Sequence, residues 1–245
     1  MRYRNCIFDL YGTLVDIHTD EMKPQLWEDL SGWYRGQGAE YLPDELRDAY
    51  FRTVRQMEQG TDPLRNDAHE AHPEIQIELV FQQLFREKDI DAELELAIHT
   101  GERFRKCSLD YIRLYDGAVK LLKALRANGQ GVWLLSNAQS IFTSYELHTL
   151  ELEALFDGIY LSSDYGCKKP DRHFFELLLK ERNIAPESAI MIGNDGVCDI
   201  AGAKAVGLST LYIRSNISPE ESLPAADYIL EEMDLNRVGT ILMQD

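Results

Sequence analysis

Cys6-Ile7-Phe8-Asp9-Leu10-Tyr11-Gly12-Thr13-Leu14-Val15-Asp16 decides how the rest of the chain is read. The apolar run Cys6-Ile7-Phe8 suits a strand buried on both faces. Asp9 falls where that strand should stop, and Gly12-Thr13 turns the chain. In an open parallel sheet, ligands bind beyond the carboxyl ends of strands, so a carboxylate there is placed for chemistry. Asp also caps turns, and this stretch by itself leaves both readings open.

Downstream of Asp116 the pattern repeats the same arrangement. Asp116-Gly117 opens a helix with Val119, Leu122 and Leu125 on one face, closed by Asn128-Gly129. Val132-Trp133-Leu134-Leu135 reads as a buried strand ending in Ser136-Asn137, and a helix is expected over Ile141 to Leu150. Gly158-Ile159-Tyr160-Leu161 is the next strand, with a loop from Ser162 to Lys168. Lys169-Pro170-Asp171 then opens a helix with Pro170 in its first turn and Phe174, Phe175, Leu178 and Leu179 inward. Ala189-Ile190-Met191-Ile192 is a strand that exits through Gly193-Asn194-Asp195-Gly196, followed by a tightly packed helix containing Ala201-Gly202-Ala203. Leu211–Ile213 and Tyr228–Leu230 are the last strands, and Val238 to Met243 a final helix. Strands separated by helices of this length predict an α/β fold, a Rossmann-like parallel sheet with helices on both faces.

Between Ile17 and Tyr115 the periodicity turns helical and charged. Leu26, Leu30 and Trp33 share one face, as do Leu46, Tyr50 and Val54. Ile77, Val80, Phe81, Leu84 and Phe85 form a third stripe, and Leu94, Ile98 and Phe104 a fourth. Turn punctuation at Gly36-Gln37-Gly38, Pro43-Asp44, Gly60-Thr61-Asp62-Pro63 and His72-Pro73 separates them. The expected organisation is a core of residues 1–16 and 114–245 with an α-helical unit, 17–113, inserted after the first strand.

Composition narrows the function classes. The 245 residues carry 25 basic and 42 acidic side chains, a net charge of -17, which argues against broad nucleic-acid or anionic-lipid surfaces. No apolar run is long enough to span a membrane, and the amino terminus lacks a signal-peptide core. Cys6, Cys107, Cys167 and Cys198 form no CxxC pair and read as reduced thiols of a cytoplasmic protein without zinc. The glycines fit neither dinucleotide nor P-loop spacing.

Four strand ends therefore present polar groups to one sheet edge: Asp9, Ser136-Asn137, Lys169, and Asn194-Asp195. With FDLYGTLVD at Phe8 to Asp16, LLSNA at Leu134 to Ala138, CKKPD at Cys167 to Asp171 and IGNDGVCDIAGA at Ile192 to Ala203, the chain resembles the haloacid dehalogenase superfamily of hydrolases. The insert matches that family's cap only in position and helical character. The resemblance implies that Asp9 attacks phosphorus and is transiently esterified. It implies Ser136 and Asn137, helped by Thr13, as donors to phosphoryl oxygens, with Lys169 offsetting the gathered negative charge. It implies Mg2+ held by Asp9, the Tyr11 carbonyl and Asp195 or Asn194, acting on a small phosphorylated metabolite. Asp199 is expected to order that loop or cap the following helix rather than bind metal directly. Ser136 as a turn residue and Asn194 as a loop former are the plainer alternatives.

Two departures bear on the chemistry. The family's phosphatases carry a second Asp two residues after the nucleophile as acid and base, and here Tyr11 stands there. That resembles the metal-independent 2-haloacid dehalogenases. The acidic Asn194-Asp195 stretch resembles the phosphatases instead, Phe175 stands where the dehalogenases carry Tyr, and no cap arginine among Arg35, Arg52 and Arg55 matches a motif. The balance favours magnesium-dependent phosphoryl transfer, with halide displacement or a catalytically weak binding module as alternatives. Without the second Asp, leaving groups that are already weak bases, acyl or aryl phosphates, should react best. His18, His69 and His72 are the candidate proton donors from the insert.

Overall fold

The computed structural model describes residues 2–59, 72–220 and 222–244. The turn expected at Gly60-Thr61-Asp62-Pro63 and the candidate His69 lie outside the described residues. In chain order the elements are β1 (Asn5–Phe8), β2 (Val15–Thr19), α1 (Pro24–Gly36), α2 (Pro43–Gln59), α3 (Ile77–Arg86), α4 (Leu94–Ser108) and β3 (Leu109–Leu114). They continue through α5 (Ala118–Ala127), β4 (Gly131–Ser136), α6 (Ser140–Thr149), β5 (Gly158–Leu161), α7 (Ser162–Tyr165), α8 (Arg172–Glu181) and β6 (Ala189–Gly193). A π-helical turn, Gly196–Ala201, leads into α9 (Gly202–Ala205), and β7 (Ser209–Ile213), β8 (Tyr228–Leu230) and α10 (Leu235–Leu242) complete the chain.

The six-stranded sheet runs β5-β4-β1-β6-β7-β8, every pairing parallel. Its apolar strands bury both faces. Cys6 and Phe8 pack with Val132, Leu134, Ile190 and Ile192 on one side, while Ile7, Leu135 and Met191 pack with Phe174 and Phe175 on the other. The parallel α/β architecture expected from the alternating pattern is thus present.

The insert has its own core. Leu26, Trp27, Leu30 and Tyr34 of α1, Leu46, Ala49 and Tyr50 of α2, the whole Ile77–Phe85 stripe of α3 and Phe104 of α4 form one apolar cluster. Its centre is aromatic: Phe81 lies 5.7 Å from Tyr50 and 5.4 Å from Phe104, centroid to centroid. Burying one such ring contributes roughly 1.5–3 kcal/mol.

Several local expectations need correction. In α1 the inward face is one residue off, with Trp27 and Tyr34 buried and Trp33 at the margin. In α4 Leu94 is exposed, and the buried face is Ala97, Thr100, Gly101, Phe104 and Ser108. A Cβ on Gly101 would lie 2.5 Å from Ile141 and 3.0 Å from Phe81, so small residues are what let α4 approach its neighbours. Pro170 precedes α8 rather than sitting in its first turn; Asp171 is the cap and accepts from the His173 amide. The expected loop after β5 begins with the short helix α7. Finally, β2 and β3 form an antiparallel ribbon, Val15 opposite Leu114 through Thr19 opposite Leu109, where helix was expected. This ribbon carries the chain between the sheet and the insert.

Candidate active site

β1 lies between β4 and β6, the point where chain connections depart to opposite sides, so the carboxyl ends of these strands border one crevice. The Asp9 amide donates to the Ile192 carbonyl at 2.9 Å, which carries the β1 ladder one residue further and fixes the carboxylate beside β6. A cavity of about 200 Å³ opens there, lined in part by Asp9, Tyr11, Ser136, Lys169, Asn194 and Asp195.

Lys169 is the electrostatic centre. Its ammonium is buried and donates to Asp9 Oδ1 at 2.8 Å and to Asp199 Oδ1 at 2.6 Å. Burial alone would pull its pKa down, but the charges of Asp199 and Asp9 prevail and raise it, so Lys169 stays protonated. Burial pushes the Asp199 carboxyl up, to about 7, with Lys169 opposing and Asp9 adding to the rise. Both shifts favour a proton in the triad; it is assigned to Lys169, where one ammonium satisfies two acceptors. Ser136 Oγ also donates to Asp9 Oδ1, at 3.2 Å. Asp9 therefore commits Oδ1, while Oδ2 has no hydrogen-bond partner among the described residues.

The remaining polar groups hold this arrangement in place. Asn137 donates to the Lys169 carbonyl at 2.9 Å and accepts from the Lys169 amide at 2.7 Å, so its side chain is used in positioning the lysine. Asp199 reaches the triad because the turn after β6 is π-helical, with the Ile200 amide bonded to the Asp195 carbonyl five residues back. Its second oxygen accepts from the Asp195 amide at 3.0 Å. A Cβ at position 193 would stand 2.2 Å from that oxygen, which is why only glycine fits. Gly12 is required twice over: its φ is +83°, and a Cβ would meet the Asn194 amide at 2.4 Å. Thr13, fully buried, donates to Asn194 Oδ1 at 3.3 Å.

The oxygen donors suit a hard cation. Asp195 uses Oδ1 to cap the amides of Val197 and Cys198 at 2.8 and 2.7 Å, leaving its second carboxylate oxygen. Among the described residues no group of three or more His, Cys, Asp or Glu gathers as a metal cluster. Magnesium asks for less: one or two carboxylates, with carbonyl, water and phosphate oxygens completing six ligands. Asp9, Asp195 and the Tyr11 carbonyl are of that kind.

Tyr11 is tied elsewhere. Its hydroxyl donates to Glu146 and lies 3.0 Å from Thr143 Oγ1, both on α6. Arg105 of α4 holds the same carboxylate through Nε at 2.7 Å and lies 5.8 Å from the Tyr11 ring centroid. Burial first, then the Glu146 charge, raises the Tyr11 pKa well above its usual value. Passing the proton on would leave phenolate against carboxylate, so Tyr11 is neither a base nor a ready acid here. Arg105 and Glu146 had no signal in the sequence, since Arg and Glu on helices usually mark solvated faces. The other insert candidates do not line the cavity: Arg35 and Arg55 are exposed, Arg52 pairs with Glu87 at 2.8 Å, and His18 pairs with Asp110 at 2.7 Å. His72 is exposed, its carbonyl accepting from the Lys168 amide. A larger cavity, about 540 Å³, between α4, β3 and α6 contains Arg105 and Glu146 but none of the Asp9–Lys169 chemistry.

A family model described as haloacid dehalogenase-like hydrolase matches residues 3–207. A glyceraldehyde 3-phosphate phosphatase of Pyrococcus furiosus is 30% identical over 156 residues, 62% of this chain and 65% of that protein, so the match spans less than two thirds of the relative's length. Among solved structures, a HAD phosphatase from Thermococcus onnurineus superposes with a TM-score of 0.61 at 21% identity, covering 98% of both chains. A 2-haloacid dehalogenase from Pseudomonas syringae gives 0.64 at 19%, again with 98% coverage of both. At such identities the superpositions establish the fold, and the fold accommodates both chemistries.

Proposed function

The chain belongs to the haloacid dehalogenase-like hydrolases, and from that premise we propose that it is a magnesium-dependent phosphohydrolase acting on a small phosphorylated metabolite through an ester on Asp9. The observation that carries this reading is the asymmetry of the Asp9 carboxylate. Oδ1 is clamped by Lys169 and Ser136, while Oδ2 has no partner among the described residues and faces a cavity that Asp195 also lines.

In this reading Oδ2 forms a bond to phosphorus as the bond to the leaving oxygen breaks, and that oxygen departs with the electron pair. Water then attacks the same phosphorus, the Asp9–phosphorus ester opens, and inorganic phosphate leaves with the carboxylate regenerated. The main-chain amide at Asn137, and the Ser136 hydroxyl once it turns from Asp9 Oδ1, orient the phosphoryl oxygens, and Lys169 holds Asp9 in place. The Thr13 amide is bonded to the Leu10 carbonyl and its hydroxyl to Asn194, so Thr13 holds the loop. Asp9, the Tyr11 carbonyl and Asp195 would hold magnesium, with Asn194 the weaker candidate because its side-chain oxygen already accepts from Thr13. Bound there, the metal supplies positive charge against the phosphoryl oxygens. Because the Tyr11 hydroxyl is engaged by Glu146, acyl and aryl phosphates should turn over faster than alkyl esters of similar size. Residues 17–113 are proposed as the cap. The four cysteines are all free thiols, which suits a cytoplasmic setting, and no helix among the described residues is long and apolar enough to cross a membrane.

Tyr11 favours a second reading, halide displacement from a 2-haloacid. One panel separates the two: phosphate esters, acyl phosphates and 2-haloacids, each with magnesium or with chelator, using wild type and Asp9→Asn. The expected result is magnesium-dependent phosphate release that falls by about 10⁴-fold or more in Asp9→Asn. Halide release unaffected by chelator would overturn the phosphatase reading, and undiminished hydrolysis by Asp9→Asn would overturn both.

A further inference from the structure

We propose that Arg105 and Glu146 are positioning residues for this site: acting through Tyr11, they fix the space open to the leaving group and let the helical insert choose among phosphate esters by bulk. This rests on the phosphohydrolase reading and adds what selects the leaving group. The first observation is that Tyr11 is held at both ends. Its main chain lies in the tight turn after β1, where the Leu10 carbonyl accepts the amides of Thr13, Leu14 and Val15 at 3.2, 2.8 and 3.0 Å. Its hydroxyl, at the far end of the ring, donates to Glu146 and lies 3.0 Å from Thr143 Oγ1. A ring tied in this way does not swing aside, and Tyr11 lines the cavity of about 200 Å³ that Asp9 also lines.

The second observation is that the acceptor of that hydroxyl belongs to a bridge between insert and core. Arg105 of α4 donates through Nε to Glu146 Oε1 at 2.7 Å and through Nη2 to Oε2 at 3.4 Å, the oxygen that Tyr11 also uses. Glu146 is nearly inaccessible and the Arg105 side chain is 19% exposed, so solvent screens the pair little. The Arg105 guanidinium also lies 5.3 Å from the Phe142 ring centroid. One carboxylate on α6 therefore serves a cation from the insert and a phenol from the active-site loop.

The third observation is the space beyond. Glu146 and Arg105 line the larger cavity of about 540 Å³, whose walls include the apolar Ile112, Ile141, Phe142 and Leu150. The Tyr11 side chain thus reaches from the reacting cavity to a carboxylate that borders the larger one. Freeing its hydroxyl gives the ring room to turn, and a bulky leaving group gains what the ring gives up.

The test compares phenyl phosphate with 1-naphthyl phosphate, whose leaving groups are aryl oxides of similar basicity and different bulk. With magnesium, wild-type kcat/KM should favour the phenyl ester by about tenfold or more. Tyr11→Phe keeps the ring but frees it from α6, and should move that ratio towards the naphthyl ester by about fivefold. Glu146→Ala should do the same, and the double variant should move it no further than the larger single shift. Both changes cut one link, whereas unconnected losses would add. Arg105→Met should give part of the shift, about twofold to threefold, and Arg105→Lys, which returns a cation, should restore most of the wild-type ratio. Should Glu146→Ala fail to fold, Tyr11→Phe and the Arg105 pair carry the test. Equal cleavage of the two esters by wild type overturns the proposal, as do shifts that add in the double variant. So does an unchanged ratio in Tyr11→Phe or Arg105→Met when the variant melts like wild type. Aryl phosphate hydrolysis with ratios that do not move sinks this inference alone, whereas no phosphate release from any ester or acyl phosphate removes the phosphohydrolase reading and this inference with it.

Discussion

The sheet edge and the helical insert bury their side chains on opposite principles. At the edge, Lys169, Asp199, Asp9 and Asn194 are all nearly inaccessible, and Lys169 is shared between Asp9 Oδ1 and Asp199 Oδ1 while Thr13 holds Asn194 Oδ1. In the insert the interior is a set of rings, Trp27, Tyr34, Tyr50, Phe81, Phe85 and Phe104, while the ion pairs Arg52–Glu87 and Lys88–Glu45 lie outside it. Buried charge is costly unless fully paired, so the edge has no tolerance for removing one partner. Ring packing is nondirectional and grades its losses by volume. The edge is built for chemistry at the expense of stability, and the insert the reverse.

The sharpest way to break this contrast is Lys169→Met. It leaves Asp9 and Asp199 facing each other without the shared cation, so activity should fall by about 10³-fold or more and stability by about 3–5 kcal/mol. Denaturant unfolding together with kcat measures both. Retention of either would show that the triad is not the unit described. Phe81→Ala should cost a similar 3–5 kcal/mol by opening a cavity among Tyr50, Phe104 and the α3 stripe. Its kcat, assayed well below the melting transition, should stay within about threefold of wild type. A large loss of kcat would mean that the insert's packing reaches the chemistry.

The smallest effect belongs to the ribbon between the two regions. Burial would raise the Asp16 pKa, but hydrogen bonds from Asn216, Arg113 and Tyr111 outweigh it and hold the carboxyl below its usual 3.8. The unfolded chain then binds the proton more readily than the folded one. The stabilisation is present above pH 3.8 and is lost as pH falls through the lower folded value. Melting temperatures of wild type and Asp16→Asn should therefore differ at pH 6 and converge as the pH is taken below 3.8 and through the lower folded value. A difference that persists in acid would show that the clasp does not depend on the charge.

Much of the edge was legible because a buried parallel strand announces itself as a short apolar run, and a polar residue directly after it marks the strand's carboxyl end. Asp9, Ser136 and Asn194 were found in this way, and Lys169 from its place after β5 and its loop. The ribbon was not legible. Val15–Thr19 pairs with Leu109–Leu114 across the whole insert, and neither segment carries a strand signal strong enough to stand alone. The α4 face was misjudged because Thr100, Gly101 and Ser108 are buried by close approach to neighbours, which a count of apolar residues does not register.

What the sequence determined is the alternation of strands and helices and the chemical types gathered at one sheet edge, since each is written in the periodicity of a single segment. Only the tertiary structure decided which Asp9 oxygen is free, that Asn137 serves Lys169, that the Tyr11 hydroxyl is held by Glu146, and that Ile217 walls the cavity. Each of those facts is a choice of partner between residues far apart in the chain, and partner choice is settled by which groups the closed sheet and the packed helices bring within bonding distance.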